Sequence, residues 1–356
     1  MRNETQGFVV RSHRGEYGVR RMATSLALPA TPGAADRLVV DAQVQRLHPS
    51  VSGLFGATPT MSVVADEKLK SLEGALSILS WLLDTDFNRG GTLYVVGGGT
   101  VQDAASFVAS ILHRGARWVF VPTTLLAQGD SCIGGKSSIN VGGYKNQLGT
   151  FHPPAGVVID SAFLATLAPQ EIRSGIGEML HYAVLGGDAV FTRYEAALAR
   201  GWERLDTDEL TALAMEAIAV KREFIEADEF DVDVRKNLNL GHTFGHGIEF
   251  ASCGAVPHGV AVAYGVDLAT SYAYERGLLS AAKRDRIGKA VLQLVDGSEL
   301  RPLTGSQILD GIAKDKKRSG GEVELVLIED LKKAVRVKVP LDQHLGLFLD
   351  NYLDKW

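Results

Sequence analysis

The chain has only two cysteines, Cys132 and Cys253, among 356 residues. That excludes a disulfide framework and fits a reducing, cytoplasmic setting. No run approaches the roughly eighteen consecutive apolar residues of a membrane-spanning helix, so no membrane segment is expected. The opening stretch, MRNETQGFVVRSHRGEYGVRRM, lacks an apolar core of signal-peptide length. A net charge of −5 and the absence of any arginine/lysine block exclude the electrostatic footprint of a nucleic-acid binder. Internal repeats and low-complexity tracts are also missing. What is present is the composition of a soluble enzyme, 46% apolar and 22% charged with 39 glycines, in a chain long enough for two domains.

Along the first half, strand and helix signals alternate. Residues 7 to 22 alternate around Gly15 as a hairpin would, and 23 to 36 read as a surface loop. Asp36–Asp41 is a buried strand whose last aspartate, Asp41, stands where a helix begins, and Ser62–Ala65 is a second short strand. A helix is expected over Glu67–Asp84, with Leu69, Leu72, Ala75, Leu76, Leu79 and Leu82 inward. Thr92–Val96 is then a strand, Gly97-Gly98-Gly99 a turn and Thr100 a helix start, with Thr100 and Asp103 as a capping box. Glycines let the backbone approach a phosphate, and a helix N-terminus supplies free N–H groups, although this is not the Gly-x-Gly-x-x-Gly fingerprint. After the strand Arg117–Pro122, a long loop carries Asp130, Ser131, Gly134, Gly135, Lys136, Asn140, Lys145 and Asn146, residue types that suit oxyanion binding. This alternation predicts a mainly parallel sheet covered on both faces, with ligands at the carboxyl ends of its strands.

From about residue 169 helices dominate, at 169–186, 190–199, 207–228, 236–252, 258–277, 280–295 and 341–353, with a short hairpin expected near 323–339. The boundary is placed at 168/169. Within this half lies Asn239-Leu-Gly-His242-Thr-Phe-Gly-His246, followed by His258 after Pro257. His242 and His246 share a helical face, and two imidazoles there can grip a metal. The residue after His242 is threonine, so the metalloprotease pattern His-Glu-x-x-His is not met. Glu178 lies among Ile172, Ile176, Leu180 and Ala183, where a carboxylate is costly unless paired or metal-bound. Glu178, His242 and His258 therefore make a His₂Glu set with an open position, as catalytic zinc uses. His181 is a fourth ligand, a substrate contact or a helix-surface histidine.

These residues sit in strings that resemble the 3-dehydroquinate synthase and sugar phosphate cyclase family: GGGTVQD, VPTTLLAQGDSCIGGKSSIN, KNQLG, RSGIGEML, NLGHTFGH and PHGVAVAYG, in order across about 36–350. The resemblance implies an α/β nucleotide-binding domain over 1–168 and an all-helical domain carrying metal and substrate over 169–356. It implies zinc, or cobalt, on Glu178, His242 and His258. NAD would be faced by Asp41, Glu67, Lys70, Gly98, Gly99, Thr100, Asp103, Thr123, Thr124, Leu126, Asp130, Ser131, Lys136, Lys145, Phe163, Thr166, Leu167 and Glu171. Lys136, Asn146, Asn239, His246 and a lysine of Asp315-Lys316-Lys317, taken as Lys316, would hold the substrate and its phosphate. Lys221 and Arg235 match positions that hold the substrate's carboxylate end, His181 lines the site, and Arg114 would reach into a partner's site in a homodimer. The implied reaction oxidises a secondary alcohol of a seven-carbon sugar phosphate, eliminates phosphate, returns the hydride and closes a carbocycle by an intramolecular aldol step.

The chain also departs from the family. Glu178-Met-Leu-His181 replaces the usual Glu-x-x-Lys, and histidine is shorter and often neutral near pH 7. Gln102-Asp103, Ser131-Cys132 and His258-Gly259-Val260 replace Gly-Asp, Ser-Ser and His-Gly-Glu. Dehydroquinate synthesis is the first expectation because Lys221, Arg235 and Asn239 are retained. Cyclisation of sedoheptulose 7-phosphate or a related sugar phosphate is the second. A metal-dependent alcohol or glycerol dehydrogenase is the third, and a non-catalytic binding protein the fourth.

Overall fold

The computed structural model describes residues 7–22, 31–142, 144–315 and 321–356. The chain divides into two compact units, Met1–Leu167 and Ala168–Trp356, against an expected division at 168/169. Residues 23–30 of the expected surface loop lie outside the described residues.

The first unit is built on a seven-stranded sheet. Its strands are β1 (Gly7–Ser12), β2 (Gly15–Arg21), β3 (Arg37–Asp41), β4 (Thr60–Val63), β5 (Thr92–Gly97), β6 (Arg117–Pro122) and β9 (Gly156–Ile159), in the order β1-β2-β9-β6-β5-β3-β4. All pairings are parallel except the β1–β2 hairpin. One sheet face carries Leu38, Val40, Tyr94, Val96, Val119, Val121 and Val158 against Val51, Phe55 and Phe163. Near-continuous apolar strands such as Leu38-Val39-Val40 follow from burial on both faces. Helices α1 (Ala42–Leu47) and α2 (Pro49–Phe55) follow β3 on the way to β4, whereas α4 (Gly99–Ile111) follows β5 on the way to β6. These two connections leave neighbouring strands in opposite directions, so the topological switch point lies at the carboxyl ends of β3 and β5. Asp41 and the Gly97–Gly99 turn stand at those ends.

Three expectations for this unit need correction. Helix α3 runs only Leu72–Asp84, because the Ser71 side chain accepts from the Gly74 N–H and caps it there; Glu67 and Lys70 precede the helix. Its buried face is Ala75, Ile78 and Leu82, while Leu72 and Leu76 are exposed. Helix α4 begins at Gly99 with Gly98 as N-cap, so Thr100 and Asp103 form no capping box. The long loop after β6 is largely structured. A π-helical turn spans Ala127–Ser131, and β7 (Lys136–Val141) pairs antiparallel with β8 (Tyr144–Phe151).

The second unit contains α5 (Pro169–Gly186), α6 (Asp188–Leu198), α7 (Thr207–Ala227), α8 (His242–Ala251), α9 (His258–Glu275), α10 (Ala281–Leu292), α11 (Gly305–Asp315) and α12 (Gln343–Leu353). It is not all-helical, since β10 (Glu322–Asp330) and β11 (Lys333–Pro340) form an antiparallel hairpin. The helix expected over 236–252 is two pieces: a 3-10 segment Val234–Asn239, then α8. Gly241 separates them at φ 82, a left-handed conformation that side chains resist. Its missing Cβ also lets Val266 of α9 approach, since a methyl there would lie 2.8 Å from the Val266 nitrogen. No helix among the described residues is long and apolar enough to cross a membrane.

Candidate active site

The second unit gathers its histidines around one buried carboxylate. Glu178 is mid-way along α5 and 2% exposed. Helices α5 and α9 can meet at that level because both present glycine. A methyl on Gly259 would lie 2.8 Å from the Glu178 nitrogen, and one on Gly177 would lie 2.7 Å from the Gly259 carbonyl carbon. The Gly259 N–H donates to Ser174 Oγ at 3.0 Å across the same contact. His258, the first residue of α9, is thereby set beside Glu178.

Glu178 Oε1 lies 3.2 Å from His242 Nε2, and Glu178 Oε2 lies 3.4 Å from His258 Nε2. Donors around a tetrahedral zinc at its usual bond lengths stand about 3.4 Å apart, and each histidine nitrogen lies at about that separation from one of the two carboxylate oxygens. The outer nitrogens face away from Glu178. His242 Nδ1 is 3.4 Å from the Leu240 carbonyl oxygen, and His258 Nδ1 is 2.9 Å from Glu249 Oε2. With Nδ1 of each ring engaged there, Nε2 is the nitrogen left facing Glu178. Glu178 Oε2 has no hydrogen bond among the described residues, although it is buried. Burial alone would raise the Glu178 carboxyl, yet His242 and His258 outweigh it and hold the group well below its ordinary value. His258 is held well above its usual range, since Glu178 and Glu249 outweigh the opposing effect of burial. A buried anion facing two imidazole nitrogens at these separations fits a divalent metal.

His181 is fully buried one turn along α5, which removes the helix-surface reading. Its ring centroid is 4.9 Å from that of His242 and 3.8 Å from that of Tyr182, and its Nδ1 is 3.9 Å from Glu178 Oε1. Donor atoms of Glu178, His181 and His242 all lie within 4.8 Å of one another, as do those of His246, Glu249 and His258. His246 follows His242 on α8 with ring centroids 5.8 Å apart. Sequence reasoning missed Glu249, although its signal was available: seven residues after His242 it returns to the same helical face. Lys221 and Arg235 are also buried in this unit, at 7% and 4% exposure. Arg235 donates to the Glu229 carbonyl oxygen, and its own backbone N–H reaches Asp228 Oδ2 at 3.1 Å. Asn239 ends the 3-10 segment before Gly241. Lys316 lies outside the described residues.

In the first unit a second cluster forms beside the switch point. Lys70 pairs with Asp103 at 2.7 Å, and Asp103 Oδ1 accepts from the Ser138 N–H at 3.0 Å. Burial raises the Asp103 carboxyl above its ordinary value in spite of Lys70. Glu67 accepts from Asn140 Nδ2 at 2.6 Å and lies 3.7 Å from Lys145. Asn146, at φ 56, is tied to Asn140 and Ser138. The β7–β8 hairpin thus brings Glu67, Lys70, Asp103, Lys145 and Asn146 together, and Lys136 opens its first strand. Gln102 exchanges two 2.6 Å hydrogen bonds with Ser131, pinning the segment that holds Asp130 to α4. Gly98 packs against Thr124, while Thr123 donates its N–H to the Gly97 carbonyl at 3.0 Å. Gly99 and Thr100 form the open first turn of α4, and Leu126 immediately precedes the π-helical turn.

The remaining expected cofactor residues are more dispersed. Asp41 caps α1 through Gln43 N–H at 2.9 Å. Phe163 is a core residue, with His48 edge-on at 4.9 Å and Thr166 Oγ1 2.7 Å from His48 Nε2. Leu167 closes this unit, and Glu171 opens the next by accepting from the Ala168 N–H at 3.1 Å. Arg114 lies in the left-handed turn after α4, at φ 66.

Family profiles of the 3-dehydroquinate synthase N-terminal and C-terminal domains match residues 60–174 and 175–318. The chain belongs to the 3-dehydroquinate synthase family. It is 34% identical to the 3-dehydroquinate synthase of Rhodopseudomonas palustris over 323 residues, covering 85% of this chain and 84% of that one. Among solved structures, it is similar to 2-epi-5-epi-valiolone synthase from Streptomyces hygroscopicus subsp. jinggangensis, with NAD+ and Zn2+ bound, at TM-score 0.82 and 26% identity, covering 96% of this chain and 97% of that one. The fold is shared with 2-deoxy-scyllo-inosose synthase complexed with carbaglucose-6-phosphate, NAD+ and Co2+, at TM-score 0.85 and 20% identity, covering 97% of this chain and 100% of that one. Membership of the dehydroquinate synthase family thus accompanies both clusters described above.

Proposed function

We propose that this protein is a NAD- and zinc-dependent, phosphate-eliminating sugar phosphate cyclase whose reaction is that of 3-dehydroquinate synthase. The observation that carries the reading is the Glu178 carboxylate facing His242 Nε2 and His258 Nε2 at 3.2 and 3.4 Å, in a member of that family. Residues 1–168 hold NAD, and residues 169–356 hold the metal and the substrate's polar end. The bound cofactors of the valiolone and inosose synthases support NAD with zinc, and cobalt as a substitute. When bound, NAD supplies reversible hydride removal from a secondary alcohol, and the metal polarises that oxygen.

The chain's own residues supply placement and charge. Glu178, His242 and His258 form the metal's protein ligands. Lys221 and Arg235 are buried cations at positions that, by the family resemblance, hold the substrate's carboxylate end, which favours a carboxylate-bearing sugar phosphate. Lys136, Asn146, Asn239, His246 and Lys316 hold the hydroxyl and phosphate groups, where cations both bind the phosphate and ease its departure. Arg114 completes the site of a second copy in a cytoplasmic homodimer. His181 in place of the family lysine favours a second reading, a cyclase of sedoheptulose 7-phosphate.

The test is phosphate release with zinc and catalytic NAD, offering 3-deoxy-arabino-heptulosonate 7-phosphate and sedoheptulose 7-phosphate in parallel. Release from the first alone, without accumulation of NADH, is the expected result. Release from sedoheptulose 7-phosphate alone moves the reading to the second cyclase. Stoichiometric NADH from a simple alcohol, with no phosphate released from either substrate, overturns both.

A further inference from the structure

We infer that Glu249 is a positioning residue of this metal centre, acting through His258. The inference rests on the metal reading above and adds to it a residue outside the Glu178, His242 and His258 ligand set. His258 lies between two carboxylates: its Nε2 faces Glu178 at 3.4 Å, and its Nδ1 faces Glu249 at 2.9 Å. The tighter contact is on the nitrogen away from Glu178. With Nε2 given to a metal, the single imidazole proton resides on Nδ1, and Glu249 Oε2 is the acceptor that receives it. The ring is then fixed in rotation and tautomer, and the nearby negative charge makes it a stronger donor.

The placement comes from α8. His246 and Glu249 lie about 40° to one side and about 20° to the other side of His242 around that helix, so the three form one stripe towards the start of α9. The helix that supplies the ligand His242 therefore also supplies the group that holds the ligand His258. A purely structural ion pair gives a poorer account. Glu249 and His258 are 30% and 35% exposed, and partly exposed ion pairs contribute little to folding. A 2.9 Å contact at the metal-distal nitrogen has its main effect on how firmly His258 keeps its orientation.

The experiment measures zinc affinity of the full chain by chelator competition, together with the visible absorption of the cobalt-substituted protein. Glu249→Ala and Glu249→Gln are compared with wild type and with Glu178→Gln. Glu249→Ala is expected to weaken zinc binding by about 10–100-fold and to shift the cobalt bands. Glu249→Gln keeps a carbonyl acceptor for Nδ1–H and should recover most of the affinity. Apo-protein melting temperatures of both variants should stay near wild type. Wild-type zinc affinity in a folded Glu249→Ala protein, while Glu178→Gln loses its metal, overturns the role of Glu249 and leaves the metal reading intact. Equal losses in both Glu249 variants, tracked by equal falls in apo melting temperature, also overturn it in favour of a structural pair. Unchanged metal binding in Glu178→Gln overturns the metal reading and this inference together.

Discussion

Gly259→Ala is the sharpest single test of how the metal centre is assembled. The added methyl would overlap the Ser174 carbonyl oxygen and lie 2.7 Å from the Ser174 carbonyl carbon and 2.8 Å from the Glu178 nitrogen. Carbon atoms in ordinary contact sit at about 3.5–4.0 Å, so the carbon contact alone requires α5 and α9 to part by about 1 Å, and the overlapping oxygen requires more. All these obstructing atoms are backbone, so no rotamer change relieves the clash. Overpacking of this kind costs about 1–3 kcal/mol, offset in part by about 1 kcal/mol of helix propensity gained on replacing glycine. The larger effect falls on the site. His258 and Glu178 stand on the two separating helices, whereas ligand distances are held to within about 0.2 Å in a working metal site. Zinc affinity measured by chelator competition should therefore fall by at least about tenfold, with only a modest drop in melting temperature. Gly346→Ala is the control, because a methyl there meets only Leu309 at 3.8 Å. It should leave zinc affinity unchanged. Wild-type zinc binding in Gly259→Ala would refute the claim that this glycine contact sets the ligand spacing.

Three further outcomes follow from the same structure. Arg235→Met should lower kcat/KM for a carboxylate-bearing sugar phosphate by about 10–100-fold, the worth of one charge-assisted hydrogen bond, with little effect on a substrate lacking the carboxylate; parallel kinetics on the two substrates check this. Asp228 experiences a raising effect from burial, but three backbone N–H groups and Arg235 outweigh it and depress its carboxyl. A depressed carboxyl contributes stability that is complete above its unfolded value near 4 and is lost as pH falls through the lower folded value, so Asp228→Asn should flatten the acid limb of thermal melts taken below about pH 4. Ser71→Ala removes the cap of α3 and should cost about 1 kcal/mol in denaturant unfolding, without altering metal content.

Local signals decided much of this protein. Apolar strands alternating with helices set the parallel sheet, and glycine after β5 marked the turn into α4, because these features depend on periodicity and backbone freedom within a few residues. His242 and His246, four apart, and Glu178 amid apolar neighbours were legible as unusual for the same reason. The family strings added the identity of the fold. Other features required tertiary contact. Asp103 reads locally as a capping residue, yet it pairs with Lys70 and a strand amide that arrives thirty-five residues later in the chain. Residues 136–151 read as loop because β8 is exposed along most of its length and the buried positions of β7 are only Ser137 and Ile139, so no hydrophobic alternation marks the pair. Glu249 is an ordinary exposed-face glutamate in sequence and gains its meaning only where α9 begins beside it. The sequence by itself determined which side chains were available for a metal and a phosphate. The crossing of α5, α8 and α9, permitted by glycines with no room for a methyl, decided their distances, because coordination depends on tenths of an ångström that no linear spacing encodes.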